Sequence, residues 1–333
     1  MVGLPGPRVD PVARELVQDL QVGGVILFAR NIESPLQVWE LTRELQRLAL
    51  AASGRPLLIA VDQEGGPVQR LKAPFTLIPS GRELGQAWAP AQVESLCRQV
   101  GQELCLVGIN VNLAPVLDVA RGPECPLWER SFGSEPEKVA DWGAAAIRGY
   151  LAGGVLPVAK HFPGLGDTQK DSHLELPQAL SQTPERETDL LPFRRAVAEG
   201  VPMIMTAHLL VSAWEARPAT LSTVALRDCL RQQLGFKGVV MTDDLEMGAI
   251  TQGAGLAEAA GQALMAGADL LLICGNHEKV WEAATLIKDQ VPPARVQEAR
   301  RLVLSLTSRL CRPPRDKGDV SRFFRNRSAS PLP

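Results

Sequence analysis

The chain has 333 residues, of which 45% are hydrophobic and 22% charged, and its formal net charge is −2. This composition predicts a globular protein with a large core, and the near-neutral charge argues against a nucleic-acid or membrane-surface partner. The six cysteines form no C-x-x-C pair, and the first residues show no signal-peptide pattern, so we expect reduced thiols and a cytoplasmic location.

Short apolar runs alternate with helical patterns along the chain. V-G-G-V-I-L-F, which ends at Phe28, and P-L-L-I-A-V-D, which ends at Asp62, predict strands on either side of the helical pattern W-E-L-T-R-E-L-Q-R-L-A-L. Five more strands are predicted, the first near Val111 and the others at G-V-L-P-V-A-K-H, V-P-M-I-M-T-A-H, G-V-V-M-T-D-D and A-D-L-L-L-I-C. This alternation indicates parallel strands joined by crossover helices, and the continuous apolar runs indicate a sheet buried on both faces.

The seven predicted strands are one fewer than a (β/α)₈ barrel contains. An open doubly wound sheet is the rival, but no G-x-G-x-x-G phosphate turn follows the first strands. We therefore predict a single-domain α/β fold, a (β/α)₈ TIM barrel over residues 1–312 with one strand irregular or missing. Residues 313–333 have a linker-like composition and are expected to form a disordered or loosely packed tail.

Charged or imidazole residues follow five of the predicted strands. They are Asp62, Asp118, the pair Lys160-His161, His208 and the pair Asp243-Asp244. Any single strand can end in a polar residue for structural reasons alone. Because the C-terminal ends of parallel strands meet on one rim of a barrel, five such endings together favour a functional site on that rim.

The segment K-H-F-P-G-L-G-D-T-Q-K-D-S-H, residues 160–173, contains two of the four histidines. Asp171 lies close enough in sequence to His173 to hold its imidazole through a hydrogen bond, which makes His173 a candidate proton carrier. Loop Asp and Ser residues also cap turns, and spacing alone leaves both interpretations open. There is no H-E-x-x-H or similar metal-ligand spacing and no G-x-S-x-G elbow, so we expect no metal, no cofactor and no serine nucleophile.

Five sequence blocks resemble, in order and at compatible spacing, the β-N-acetylglucosaminidase branch of glycoside hydrolase family 3. They are V-D-Q-E-G-G-P-V-Q-R at 61–70, N-L-A-P-V-L-D at 112–118, E-R-S-F-G at 129–133, K-H-F-P-G-L-G-D-T-Q-K-D-S-H-L-E-L-P at 160–177 and V-V-M-T-D-D-L-E-M at 239–247. The resemblance implies a monomeric TIM-barrel enzyme of peptidoglycan recycling. Such enzymes remove N-acetylglucosamine from muropeptides or other small carbohydrates.

The resemblance also implies roles for individual residues. Asp243 matches the nucleophile, and His173 matches a general acid/base supported by Asp171. Substrate-binding positions match Asp62, Arg70, Arg130, Lys160, His161, His208 and Met247. The sequence departs from the family at Pro67, where arginine is usual, and at Leu165, where the loop usually has histidine.

These roles imply hydrolysis with retention of configuration. Asp243 would form a glycosyl-enzyme, while His173 would first protonate the leaving oxygen and then activate water. Because a neutral histidine does not repel an anionic acceptor, an N-acetylglucosaminide phosphorylase is an alternative. A non-catalytic sugar-binding barrel and a lyase or aldolase that uses Lys160 as a Schiff base are two further classes.

Overall fold

The structure is a computed structural model that describes residues 1–168, 176–179, 183–251 and 255–327. Eight strands form its central sheet, and each pairs in parallel with the next in chain order. They are β1 (Val2–Gly3), β2 (Gly24–Leu27), β3 (Leu58–Val61), β4 (Val111–Asn112), β5 (Leu156–Phe162), β6 (Met203–Thr206), β7 (Val239–Asp244) and β8 (Leu270–Leu272). A bridge between Val2 and Ile273 joins the last strand to the first.

The TIM-barrel prediction is confirmed, and the strand that the sequence pattern did not predict is β1. With two residues, Val2–Gly3 is too short to show any hydrophobic period. A small antiparallel hairpin, Gln63–Gly65 paired with Val68–Gln69, follows β3. This hairpin lies beyond the C-terminal end of β3.

Helices follow the strands and cover the outside of the barrel. Their bounds are Pro11–Arg14 continued by Glu15–Asp19, Pro35–Ser53, Gly81–Ala87, Pro90–Leu106, Pro136–Ala152, Thr183–Ala198, Val224–Gln233, Gly248–Thr251, Leu256–Ala266, His277–Gln290, Pro293–Ser305 and Lys317–Arg327. Among these described helices, none has the length and hydropathy needed to cross a membrane.

The helix Pro35–Ser53 illustrates how the sequence sets these elements. The Ser34 side chain accepts a hydrogen bond from the Gln37 backbone, proline occupies the first helical position, and Gly54 ends the helix with a φ of 68°. Its apolar residues recur at helical spacing and form one buried stripe: Val38, Leu41, Leu45 and Leu48.

Successive residues of each strand alternate between two apolar layers. In β2, Ile26 points into the barrel interior, while Val25 and Leu27 pack towards the helices. In β3, Leu58 faces the interior and Ile59 faces the helices. Because both faces are apolar, the strands show continuous hydrophobic runs rather than alternation.

The C-terminal segment differs from the loosely packed tail that we expected for residues 313–333. Lys317–Arg327 is a helix in which Val320 and Phe324 are buried, and the Phe324 ring lies 4.6 Å from that of Phe75. A short apolar stripe within a highly charged segment gives little sequence signal, although it suffices to dock one helix. Residues 328–333 lie outside the described residues.

Candidate active site

The C-terminal ends of the strands surround a cavity of about 250 Å³. Seven of the ten predicted site residues line it: Asp62, Arg70, Arg130, Lys160, His161, Asp243 and Met247. The apolar part of the cavity wall is formed by Phe28, Leu127, Leu165, Met205 and Leu272. A concave site with apolar walls and convergent polar groups is typical of small-ligand binding.

Two pairs of consecutive residues line the cavity together, which regular strand alternation would forbid. They are Lys160-His161 at the end of β5 and Asp243-Asp244 at the end of β7. The β5–β6 pairing shifts register between Ala159 and Phe162, and the β7–β8 pairing shifts at Leu270–Leu272. Such bulges redirect side chains, and here they concentrate polar groups in the cavity.

Two cations and two carboxylates form a connected cluster on one side of the cavity. The Lys160 ammonium donates to Asp62 Oδ1 at 2.7 Å and lies 2.5 Å from Glu64 Oε1. Arg130 donates to both Glu64 oxygens, each at 2.8 Å. Burial would raise the pKa of Glu64, but the charges of Lys160 and Arg130 outweigh it and lower that pKa to about 2.

Lys160 is held as an ammonium ion. Burial would lower its pKa, but the carboxylates of Asp62 and Glu64 raise that pKa above its ordinary value. A protonated lysine donates hydrogen bonds and is a poor amine nucleophile, so the raised pKa of Lys160 favours hydroxyl binding over a Schiff base. The sequence pattern assigned no role to Glu64, which makes this arrangement possible.

Arg70 keeps donor capacity towards the cavity. Its Nη2 lies 3.5 Å from Asp62 Oδ2, and its guanidinium carbon lies 5.8 Å from the centre of the Phe28 ring. Its Nε is buried and has no hydrogen-bond partner among the described residues. A bound ligand with an oxygen acceptor would satisfy this group.

Asp118 fixes the orientation of His161. Its Oδ2 lies 2.7 Å from His161 Nδ1 and accepts from the His161 backbone N–H at 3.1 Å, while its Oδ1 accepts from the Leu165 backbone at 2.6 Å. A carboxylate partner at Nδ1 assigns the proton to that nitrogen. His161 Nε2, 3.4 Å from Arg130 Nη2, is then the acceptor at the cavity surface.

Asp243 is an ionised carboxylate at the cavity wall. Burial would raise its pKa, but His161, His208, the Asp244 backbone N–H and Lys160 together lower that pKa. The Asp244 N–H donates to Asp243 Oδ1 at 2.8 Å. A carboxylate of this kind has the chemistry of a nucleophile.

Asp244, its neighbour, is shifted in the opposite direction. Burial raises its pKa to about 6, and the charges of Glu246 and Asp243 add to that effect. Hydrogen bonds from the Glu246 backbone and the Cys274 thiol offset this increase in pKa only in part. Adjacent carboxyl groups with diverging pKa values are typical of catalytic sites. The doublet of aspartates is visible in the sequence, but the pattern assigned no role to the second.

His208, a predicted substrate contact, lies beside the end of β7. It is fully buried and is not among the described residues that line the cavity. Nδ1 lies 2.8 Å from Thr220 Oγ1, and Nε2 lies 2.8 Å from the Asp244 carbonyl oxygen. His208 therefore contacts the backbone that carries the two aspartates, and its role in substrate binding stays a prediction.

His173 and Asp171 lie outside the described residues. The described chain before them follows the cavity wall, where Leu165 and Thr168 are lining residues. Thr168 Oγ1 donates to the Leu165 carbonyl at 2.8 Å, which closes a turn directly before residue 169. The described chain therefore lines the cavity up to residue 168.

The charged groups suit a polyhydroxy ligand better than a metal ion. The carboxylates of Asp62 and Glu64 already face Lys160 and Arg130. Within the described part of the chain, no group of three or more His, Cys, Asp or Glu side chains is arranged to bind a metal. Paired donors and acceptors around a small cavity match the hydroxyl groups of a sugar ring.

Residues 2–306 match the family model described as "Glycosyl hydrolase family 3 N terminal domain". A protein named beta-hexosaminidase from Alkalilimnicola ehrlichii is 40% identical over 84% of this chain and 81% of its own length. Another of the same name from Neisseria meningitidis serogroup A is 36% identical over 92% of this chain and 86% of its own length.

Solved structures resemble both the sequence and the fold. A family 3 β-N-acetylglucosaminidase from a Paenibacillus species superposes with a TM-score of 0.91 and 37% identity, over 98% of this chain and 67% of that one. NagZ from Neisseria gonorrhoeae, in complex with N-trifluoroacetyl-D-glucosamine, gives a TM-score of 0.83 and 32% identity, over 99% of this chain and 95% of that one.

Proposed function

Because this chain belongs to glycoside hydrolase family 3 and is a glycoside hydrolase, we propose that it is a retaining β-N-acetylhexosaminidase. Its substrates would be muropeptides or related β-linked glycosides with N-acetylglucosamine at the non-reducing end. The observation that carries the proposal is the ionised Asp243 on the wall of a cavity whose other side presents hydroxyl-binding groups. The names of the relatives and the glucosamine analogue bound to the gonococcal neighbour support the choice of sugar.

In this proposal the Lys160–Glu64–Arg130 cluster and Asp62 bind the sugar hydroxyls. The ammonium and guanidinium groups donate, and Asp62 and His161 Nε2 accept. These groups hold one another before substrate arrives, so binding requires little reorganisation of side chains. Met247 supplies an apolar contact from the opposite wall.

The chemistry has two steps. In the first, an Asp243 oxygen forms a bond to the anomeric carbon as the bond to the leaving oxygen breaks, and His173 gives its proton to that oxygen. In the second, neutral His173 takes a proton from water, the water oxygen attacks the anomeric carbon and the Asp243 carboxylate leaves. An unperturbed imidazole titrates at a pH of about 6.5, so one side chain can perform both proton transfers near neutrality.

Asp171 would hold the His173 imidazole in the tautomer that both transfers need. Support for this pair comes from the turn at Leu165–Thr168, which brings the chain to the cavity immediately before residue 169. We extend the proposal to a cytoplasmic monomer in peptidoglycan recycling. The six free thiols suit a reducing compartment.

The test compares an aryl N-acetyl-β-glucosaminide with the matching aryl β-glucoside, with and without phosphate. We expect hydrolysis of the first substrate only. We also expect Asp243→Ala to lose at least about 10³-fold in kcat, because the covalent step is removed. The exposed Asp228→Ala on helix Val224–Gln233 is the control and should match the unaltered protein.

Azide provides an independent readout of the covalent step. In Asp243→Ala, azide should restore turnover of an activated aryl substrate and give the α-glycosyl azide, since it attacks from the face that the carboxylate vacated. Substantial activity of Asp243→Ala without azide would refute Asp243 as nucleophile. A sugar 1-phosphate formed in the presence of phosphate would favour the phosphorylase alternative.

A further inference from the structure

Glu246 forms a bridge between the ends of two barrel strands. Its carboxylate accepts backbone N–H groups from Gly275 and from Asn276, the latter at 2.8 Å. These two residues immediately precede the helix His277–Gln290, and Asn276 caps it through a hydrogen bond to the Lys279 backbone. A carboxylate at the N-terminus of a helix is stabilised both by the hydrogen bonds and by the helix dipole.

The bridge lies next to the two cavity aspartates. The Glu246 backbone N–H donates to Asp244 Oδ1 at 3.1 Å, and the Cys274 thiol, one residue before the bridge, lies against the Asp244 carboxyl. The bridge therefore connects the end of β7 with the loop that follows β8. It spans the two strand ends that position Asp243 and Asp244.

Regular pairing between β7 and β8 ends at this part of the barrel. The β7–β8 register shifts at Leu270–Leu272, and past that point the backbone bond from Leu245 N to the Leu272 carbonyl, at 2.9 Å, joins the two strand ends. A shift in register leaves the following residues less constrained by the ladder. The two hydrogen bonds to the Glu246 carboxylate add a constraint beyond the last backbone bond between the two strand ends.

We propose that Glu246 is a positioning residue that holds Asp243 in its attacking position by bracing the end of β7 against the N-terminus of helix His277–Gln290. The inference rests on the proposed role of Asp243 as nucleophile. Glu246 is absent from the cavity lining, so it acts through the backbone of residues 243–246 and not through contact with substrate. A displacement of about 1 Å at a nucleophile can reduce the rate by about 10²-fold.

The experiment compares Glu246→Ala and Glu246→Gln with Glu278→Ala. Glu278 is an exposed acid in the first turn of the same helix, so its removal changes the same charge near the same helix end without touching the bridge. For Glu246→Ala we expect kcat to fall by about 10- to 100-fold and KM to change by less than about threefold. Glu246→Gln keeps one acceptor oxygen, so its kcat should lie between those of Glu246→Ala and the unaltered protein. The kcat of Glu278→Ala should match that of the unaltered protein.

A series of aryl leaving groups separates positioning from damage to the proton donor. Displacement of the nucleophile slows attack on every substrate, so kcat/KM should fall by the same factor for good and poor leaving groups. Disturbance of the segment with His173 would instead reduce turnover most for poor leaving groups, which need protonation. A loss confined to poor leaving groups would overturn the inference.

Wild-type kcat in both Glu246 variants, with only a lower melting temperature, would also overturn it. Glu246→Gln preserves shape and serves as the test if Glu246→Ala does not fold. Asp243→Ala is measured in parallel so that the two proposals can fail separately. If Asp243→Ala is inactive and the Glu246 variants are fully active, only the positioning role of Glu246 is refuted. If Asp243→Ala is active, the role of Asp243 as nucleophile is refuted.

Discussion

The two sides of the cavity handle charge in opposite ways. Near β3 and β5, Asp62 and Glu64 are matched by Lys160 and Arg130 at hydrogen-bonding distance, and the Glu64 pKa falls to about 2. At the end of β7, Asp243 and Asp244 adjoin each other, and the salt bridges of the described residues include neither. One side is neutralised internally and the other keeps an excess of carboxyl groups.

This difference in charge pairing gives one side of the cavity properties suited to binding and the other side properties suited to chemistry. A neutralised cluster can present fixed donors and acceptors to a neutral sugar without attracting other ions. Unmatched carboxyl groups are sensitive to small differences in environment, which lower the pKa of Asp243 and raise that of Asp244 to about 6. Variants that alter one side should therefore affect ligand geometry and stability, and variants of the other should alter the response to pH.

The largest effect in this comparison is expected for Glu64→Gln. The change leaves two buried cations facing one remaining carboxylate, so we expect a loss of about 2–3 kcal/mol in unfolding free energy. It should also reduce kcat/KM by about 10²-fold, because Lys160 and Arg130 lose their shared anchor. Urea unfolding and initial rates on an aryl N-acetyl-β-glucosaminide measure the two quantities.

Glu44→Gln is the matched control. Glu44 also binds one arginine through both oxygens, Arg47 at 2.8 Å for each bond, but this pair is exposed and should contribute little to stability. The pH dependence gives a second check. Since the folded-state pKa of Glu64 is lowered from 4.5 to about 2, its stabilisation is present above pH 4.5 and is lost as the pH falls towards 2. Equal effects of both variants would contradict the distinction between the two pairs.

A smaller effect is expected for Asp118→Asn. The amide can donate to His161 Nδ1, which would move the ring proton to Nε2 and replace an acceptor at the cavity surface by a donor. We expect kcat/KM to fall by about 10- to 100-fold while the protein stays folded. Nitrogen chemical shifts of the His161 ring report the tautomer directly. Reduced activity with an unchanged tautomer would mean that Asp118 acts through the Leu165 backbone instead.

Much of the cavity could be predicted from the sequence, because it depends on strand ends. Parallel strands place their C-terminal residues on one rim, so the strand pattern alone groups Asp62, Lys160, His161 and Asp243. His208 satisfies the same rule, and its role in substrate binding stays a prediction. The strand β1 was missed since two residues have no measurable period.

Other features depend on geometry that no local pattern encodes. The register shifts that bring both Lys160 and His161 to the cavity arise from the pairing of distant segments. Glu64 lies in a Gly-rich hairpin whose sequence shows a turn, and only the fold brings it to Lys160, 96 positions later in the chain. The contacts of Glu246 with Gly275 and Asn276 also join separate elements.

The smallest effect concerns Asp244, and it has the opposite sign to the others. Because the folded-state pKa of Asp244 is raised from 3.8 to about 6, the stability that it contributes is fully present below pH 3.8 and is lost as the pH rises to 6. Asp244→Asn cannot ionise, so it should be more stable than the unaltered protein by about 1–2 kcal/mol at pH 7. At pH 4 the two should nearly coincide. Urea unfolding across this range measures the difference, and a variant that is equally destabilised at both pH values would contradict a raised folded-state pKa for Asp244.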